Sequence, residues 1–429
     1  LGVLTAILGM VFGNMGRSHM RQLSVQEGTL FLLAVWFLLA VLGMLPFHLA
    51  GLHLSPADTF FECISALTTT GMTVFGDTLP PSLVLWRALM SWFGGLLFIV
   101  ILVTVLPVVS GCFGVDFNVR QERLFSPLWN RMTRPMREMT LLYIAITAVA
   151  VGIYLMAGDE IFPALILALF TISSGAGPMT GGLPPTPALM LGAGLVALLS
   201  ALPLLTLWQL LHRRSGAMLT RHMELRSFFL LFLAAGTILV IPPLLHGTQP
   251  FAQALGYSFF YAISFLSTNG LVLQAEIPLH SGSTLLLILL AIIGGCMGSA
   301  AGGFRISRVL VLVSLAWTEL LRTLHPRMVL AVRQGGEVVP LHSAGRILVL
   351  TFFFAAVFSV SSLLIACAGL SPIETITLTV ACLTTTGGVA SLADLDTVAA
   401  LPVWTKLVCT LLMILGRIEI FAFFLFIGS

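Results

Sequence analysis

Charge is what this sequence has least of. Only 9% of its 429 residues are Asp, Glu, Lys or Arg, while 58% are hydrophobic, and the mean hydropathy is +1.07. Soluble domains carry about a quarter charged residues, so the deficit excludes a soluble enzyme, a nucleic-acid binder and a disordered chain. A net charge of +3 is too small to imply an anionic partner. The six cysteines (Cys63, Cys112, Cys296, Cys367, Cys382, Cys409) stand far apart without a CxxC pair. That excludes a disulfide framework and a zinc site, and leaves them as small buried apolar residues. There is no Walker motif, no GxSxG and no histidine cluster at ligand spacing; His48, His53, His246 and His280 are scattered near the ends of apolar runs. The run Gly175-Ala-Gly177-Pro-Met-Thr-Gly181 has the wrong spacing for a dinucleotide fingerprint, and Pro178 would spoil the helix start. What is left is a membrane protein that is not an enzyme and carries no cofactor of its own.

Apolar runs long enough to span a bilayer fall near 29–51, 83–113, 139–158, 187–212, 227–246, 283–322, 344–369 and 400–428. The apolar start of the chain, to about Phe12, is too short to span. It reads as the tail of a helix rather than a signal peptide.

The eight runs come in pairs, and each pair encloses a shorter apolar stretch ending in Thr, Ser and Gly: 58–73, 160–179, 251–272 and 371–390. Each shorter stretch opens on a helix start signal or an acid, as at Ser55-Pro56 or Ser371-Pro372, and breaks at Gly71, Gly177, Gly270 and Gly387. A dozen helical residues reach only about 18 Å, so these segments enter a membrane without crossing it. The sequence therefore predicts an all-α membrane protein of four tandem span–half-helix–span repeats, in pseudo-fourfold arrangement around one central pore. The units are 29–113, 139–213, 227–322 and 344–429, joined by loops 114–138, 214–226 and 323–343, with 1–28 as a helix remnant and polar segment.

Fifteen of the 20 basic residues lie in or beside the three inter-repeat loops, from Arg120 to Arg346. By the positive-inside rule those loops are cytoplasmic. The opposite side carries Asp58, Glu62, Asp77, Asp159, Glu160, Glu276, Glu374, Asp394 and Asp396. Such an acidic mouth concentrates cations.

Non-helical backbone at membrane depth has costly unpaired carbonyls unless it lines water or an ion path. Four such turns on one axis would form a carbonyl ring able to replace the hydration shell of a monovalent cation. The half-helices would aim their negative dipole ends at it. The candidate ring is Thr69-Thr70-Gly71, Ser174-Gly175-Ala176-Gly177, Thr268-Asn269-Gly270 and Thr385-Thr386-Gly387. Two further features need explanation. Gly294, Gly295, Gly298, Ser299, Gly302 and Gly303 interrupt the sixth run, either as a small-residue packing seam or as a flexible loop across the pore (294–303). Arg417 and Glu419 lie in the last apolar run, where a charge is costly; they are either an inter-repeat salt bridge or pore-related.

On the motifs TTTGMTVFGD (68–77), SSGAGP (173–178), STNGLV (267–272), TTTGG (384–388), WFGGLLFIV (92–100), GGCMGSAAGGFR (294–305) and GRIEIF (416–421), the chain resembles the Trk/Ktr/HKT superfamily of potassium transporters. The bacterial Trk branch is the most similar, over the whole chain from about residue 29. The resemblance implies a K⁺ filter at Gly71, Gly177, Gly270 and Gly387, and an intramembrane gate at 294–303. It also implies that Arg417 faces the pore beneath the filter, with Glu419 holding a neighbouring helix. It further implies K⁺ uptake across the bacterial inner membrane, a homodimer, and a cytoplasmic nucleotide-binding regulatory subunit through which alone nucleotide would act. The family's second turn reads Asn-Ala-Gly-Phe where this chain has Gly175-Ala176-Gly177-Pro178, and Asn269 stands where Thr is commoner. The alternatives are a channel for both K⁺ and Na⁺ or an ion-coupled symporter and, more remotely, a non-conducting scaffold or sensor.

Overall fold

The computed structural model describes residues 25–52, 54–75, 79–104, 133–175, 182–213, 223–247, 249–274, 280–325, 331–334, 337–393, 395 and 398–418. The expected helix remnant before residue 25, most of loop 114–138, Ala176, Gly177 and Glu419 lie outside them.

The described chain is mostly helical. In order the helices are α1 (Val25–Leu49), α2 (Pro56–Leu67), α3 (Pro81–Thr104), α4 (Thr133–Met156), α5 (Ile161–Ile172), α6 (Pro187–Ala201) and α7 (Leu204–Arg213). They continue as α8 (Met223–Leu245), α9 (Phe251–Leu266), α10 (Ser281–Ile293), α11 (Ile306–Leu324), α12 (Leu341–Ala366), α13 (Pro372–Leu383) and α14 (Val403–Ile418). A short 3-10 helix covers Gly387–Ala393, and one small antiparallel pair, Arg333–Gln334 with Glu337–Val338, lies in the loop before α12.

Among the described residues four helices are long and apolar enough to cross a membrane (within α3, α4, α8 and α12), or five if the bent pair α6–α7 is one span. Their surface is inverted relative to a soluble protein. Leu230, Phe352 and Leu363 are 59%, 70% and 71% exposed, while Thr68, Thr70, Ser173, Ser267 and Thr384 are fully buried. An outer face this rich in large apolar side chains, over a polar interior, suits contact with lipid. The molecule is a multi-pass membrane protein. Cys63, Cys296, Cys382 and Cys409 are buried and free as expected, but Cys367, near the end of α12, is exposed.

The short helices α2, α5, α9 and α13 sit where the sequence places them, and local chemistry starts two of them. The Ser55 hydroxyl accepts from the Asp58 amide at 3.1 Å, with Pro56 in the first turn. Ser371 and Glu374 form a complete capping box ahead of Pro372. Helix α5 starts at Glu160 and α9 at Pro250 without a side-chain cap. Each short helix packs between the helices that precede and follow it: α2 between α1 and α3, α5 between α4 and α6, α9 between α8 and α10, α13 between α12 and α14. Contacts from one such group of three helices to the next repeat as well. Helix α3 meets α5, α6 meets α9, α10 meets α13, and α14 returns to α2. Glycines allow the closest of these approaches: a Cβ at Gly94 would overlap the Leu67 carbonyl oxygen, and one at Gly416 the Leu383 carbonyl oxygen.

The run 187–212 differs from the single span expected. It bends by 96° between α6 and α7. Pro203 has no amide hydrogen to continue the helix, and it holds Leu202 extended (φ −79°, ψ 145°). The bend frees the Ser200 and Ala201 carbonyls to accept from outside the helix.

Candidate functional site

The four short helices end alike. Their C-caps, Thr68, Ser173, Ser267 and Thr384, are helical, and the next residues, Thr69, Ser174, Thr268 and Thr385, are left-handed, with φ between 53° and 60°. Non-glycine residues rarely take that conformation, and here it recurs at one place in each unit. In every turn the left-handed residue's amide bonds back three residues, to Ala66, Thr171, Phe265 and Cys382. The glycines of turns one, three and four follow two residues later. Counted the same way, turn two brings Ala176 to that place, one residue before Gly177; both are outside the described residues.

The turns adjoin one another. The Gly387 amide donates to the Thr70 carbonyl at 2.8 Å, joining turns four and one. A Cβ on Gly388 would overlap the Gly270 carbonyl oxygen, so turns four and three touch. Asn269 Nδ2 donates to Ser200 Oγ at 2.9 Å, and Ser174 Oγ donates to the same oxygen at 3.3 Å, linking turns three and two through α6. Ser173 and Ser91 share a hydrogen bond of 2.8 Å, linking turn two to α3. Among the described residues Thr69 Oγ1, Thr385 Oγ1 and Asn269 Oδ1 are buried oxygens without a hydrogen-bond donor. An unpaired buried oxygen is costly unless a cation or water reaches it. This donor set is oxygen-only and uncharged, which suits a hard monovalent cation; no group of three or more metal-ligating His, Cys, Asp or Glu occurs among the described residues.

Residues 294–305 are a loop, not a helix, so the small-residue seam is excluded. The loop lies directly against the turns. The Gly302 amide donates to Thr268 Oγ1 at 2.7 Å, and the Gly303 amide to the Thr384 carbonyl at 3.1 Å. The bend at Pro203 supplies three more anchors. The Ala300 and Cys296 amides donate to the carbonyls of Ser200 and Ala201, each at 3.3 Å, and the Leu204 amide donates to the Gly298 carbonyl at 3.0 Å. Gly294, Gly298 and Gly303 have φ of 73°, 83° and 79°, which explains glycine there. Gly295 and Ser299 lie inside the loop, where the Ser299 hydroxyl donates to the Cys296 carbonyl at 2.6 Å.

Two charged side chains clamp the loop. Arg417 Nη1 donates to the Ala300 carbonyl at 2.9 Å, and its guanidinium lies 4.2 Å from the centre of the Phe98 ring. Arg305, whose φ is 80°, approaches the same ring at 5.2 Å. A cavity of about 20 Å³ lies here, lined by Phe98, Gly302, Gly303, Arg305, Arg308 and Arg417 among others. The other clamp is Glu224, a residue the sequence reading did not single out. Its carboxylate accepts from the Met297 amide at 2.6 Å. No motif marks Glu224; the one available signal was an acid at the start of an apolar run. We expect Glu224→Ala to release the loop, because leaving the Met297 amide without its acceptor costs about 1–3 kcal/mol. Hydrogen exchange at the Met297 amide should speed up about tenfold or more; an unchanged rate would show that the loop is held without this clamp.

The acidic mouth needs correction. Glu62 is not on a solvated rim; it is fully buried and ion-paired with Arg87, because its place on α2 faces the packed interior. Asp58 pairs with Lys406 at 2.6 Å. Arg87 and Lys406 thus each neutralise one of these acids. Asp159 stands outside the spans beside Glu160, and its carboxyl is pushed above the ordinary range by partial burial and then by that neighbour. The side chains of Asp77, Glu276, Asp394 and Asp396 lie outside the described residues. His246 and His280, far apart in sequence, stack with ring centres 4.4 Å apart.

A family model described as cation transport protein TrkH matches residues 2–158 and 197–428. The Trk system potassium uptake protein TrkG of Escherichia coli is 31% identical, with 93% of this chain and 84% of that protein aligned. The Trk system potassium uptake protein TrkH of Salmonella typhimurium is 29% identical, covering 96% and 87% respectively. The crystal structure of the potassium transporter TrkH from Vibrio parahaemolyticus superposes with a TM-score of 0.84 at 26% identity, covering 95% of this chain and 86% of that one.

Proposed function

The chain belongs to the TrkH family of cation transport proteins, and from that premise we propose that it carries K⁺ into a bacterial cell across the inner membrane. Four units, 29–113, 139–213, 227–322 and 344–429, surround one pore in pseudo-fourfold arrangement. The closed cycle of helix contacts from α3–α5 round to α14–α2 supports this. The loops between units face the cytoplasm, as their arginines require.

One observation carries the reading: the same left-handed turn at the end of each of four short helices, the turns linked to one another. Residues 69–71, 174–177, 268–270 and 385–387 form the filter, mainly through backbone carbonyls. The Thr70 carbonyl has a second lone pair beyond the bond from Gly387. The C-terminal dipole ends of α2, α5, α9 and α13 favour a cation at the centre. Loop 294–303 is the gate, and Arg417 sets a fixed positive charge beside it that tunes passage. An inside-negative potential of about 100 mV supplies about 2.3 kcal/mol per cation, enough to concentrate K⁺ tens of times. The protein acts as a homodimer with a cytoplasmic nucleotide-binding subunit governing the gate; it needs no cofactor itself.

The test is rubidium uptake into liposomes holding the purified protein, under an imposed inside-negative potential. Excess K⁺ should block the uptake and excess Na⁺ should not. Equal competition by Na⁺ would favour the channel for both ions. A flux that depends on a proton or Na⁺ gradient would favour a symporter.

A further inference from the structure

The four turns are not held alike. Beyond Gly71 the chain runs out through residues 72–75, and two side chains of α2 reach back to grip it. The Ser65 hydroxyl donates to the Met72 carbonyl at 2.6 Å. Glu62, one helical turn earlier, accepts from the Val74 amide at 2.9 Å and from the Thr73 hydroxyl at 3.2 Å. The Thr73 hydroxyl in turn accepts from the Phe75 amide at 3.0 Å. Arg87 on α3 pairs with Glu62 at a fully buried place, so a guanidinium meets the charge of the carboxylate there.

Turn three repeats this brace with neutral parts. The Ser264 hydroxyl donates to the Leu271 carbonyl at 2.8 Å, and the Tyr261 hydroxyl accepts from the Leu273 amide at 3.3 Å. Each residue holds the place, counted from the left-handed residue of its turn, of Ser65, Met72, Glu62 and Val74. At the two brace places turn four has Leu378 and Ala381, and turn two has Leu167 and Phe170, none of which can hydrogen-bond. Turn four instead continues into the 3-10 helix Gly387–Ala393, whose own backbone bonds fix it.

We propose that Glu62, held by Arg87, is a positioning residue for ion discrimination: its carboxylate fixes the width of the pore at turn one, with Tyr261 a weaker counterpart at turn three. The inference rests on the K⁺-uptake reading. A filter that selects by carbonyl positions needs the backbone behind it fixed, and a carboxylate accepting two hydrogen bonds fixes it better than one phenol does.

The test compares Glu62→Gln, Tyr261→Phe and, as control, the volume-conserving Leu167→Met. The readout is the ratio of K⁺ to Na⁺ potency in blocking rubidium uptake, which does not depend on how much protein is folded. Glu62→Gln should lower the ratio about tenfold and Tyr261→Phe about threefold, while Leu167→Met keeps the wild-type value. A wild-type ratio in both brace variants overturns the inference. If Glu62→Gln fails to fold, Tyr261→Phe decides alone, since it removes one neutral hydrogen bond and leaves no buried charge unpaired. A wild-type protein that takes up rubidium without preferring K⁺ to Na⁺ would instead overturn the reading on which the inference stands.

Discussion

Replacing Gly387 with alanine should abolish rubidium uptake while leaving the protein folded. The added methyl group would overlap the Thr70 carbonyl oxygen and come within 3.0 Å of the Met72 amide nitrogen and 3.1 Å of Met72 Cγ. Two of those atoms are backbone, so no side-chain rotation relieves the clash. Turns one and four, now joined by the Gly387–Thr70 hydrogen bond, would have to separate. Overpacking of this kind costs about 1–3 kcal/mol. Because the strain falls on the oxygens proposed to hold the ion, it should appear as a loss of uptake of about a hundredfold, and only slightly as a loss of stability. Gly152→Ala is the matched control: nothing lies within 4 Å of its would-be Cβ. Uptake by Gly387→Ala within a factor of two of wild type would mean that turns one and four do not border the ion path.

Gly302→Ala should have the opposite effect, raising uptake in the absence of any cytoplasmic partner. Its methyl group would overlap Thr385 Oγ1 and the Thr384 carbonyl oxygen. Here the side proposed to move is the loop, which is held against the turns by hydrogen bonds from Gly302 to Thr268 and from Gly303 to Thr384. Backing away breaks both bonds, at about 1 kcal/mol each. The balance between closed and open loop should then shift about thirtyfold. Rubidium uptake by partner-free liposomes measures this directly, and faster hydrogen exchange across 294–303 should accompany it. Uptake below wild type would show that the methyl group deforms turn four instead of lifting the loop, and the loop would lose its role as gate.

Much of this architecture could be read from the order of residues. Ser55-Pro56 and Ser371-Pro372 announce the starts of α2 and α13, and the Thr-Ser-Gly turns announce their ends. Gly294, Gly298 and Gly303 mark an unwound stretch in an apolar run. These are properties of neighbours in the chain, because caps, periodicity and glycine conformations act over a handful of residues. The register of turn two was harder to read. A motif match selects Gly177, whereas the backbone bonds of Ser174 bring the count to Ala176.

What sequence alone did not settle is which distant groups meet. Glu62 reads as one more acid of an outer rim, yet it faces Arg87 in the packed interior and braces turn one. Asp58 finds Lys406 from the other end of the chain. Pro203 reads as an incident within a span, but its bend releases the Ser200 and Ala201 carbonyls just where the loop needs acceptors. Glu224 carries no motif and still clamps that loop. Each of these depends on the cycle of helix contacts bringing remote segments within about 3 Å, the reach of a hydrogen bond. The sequence by itself therefore determined the membrane setting, the four short helices and the turns that end them, because those follow from hydropathy and local backbone chemistry. Only the tertiary structure decided how the turns are braced and the loop is held, because a buried charge or a freed carbonyl takes whichever partner packing places beside it.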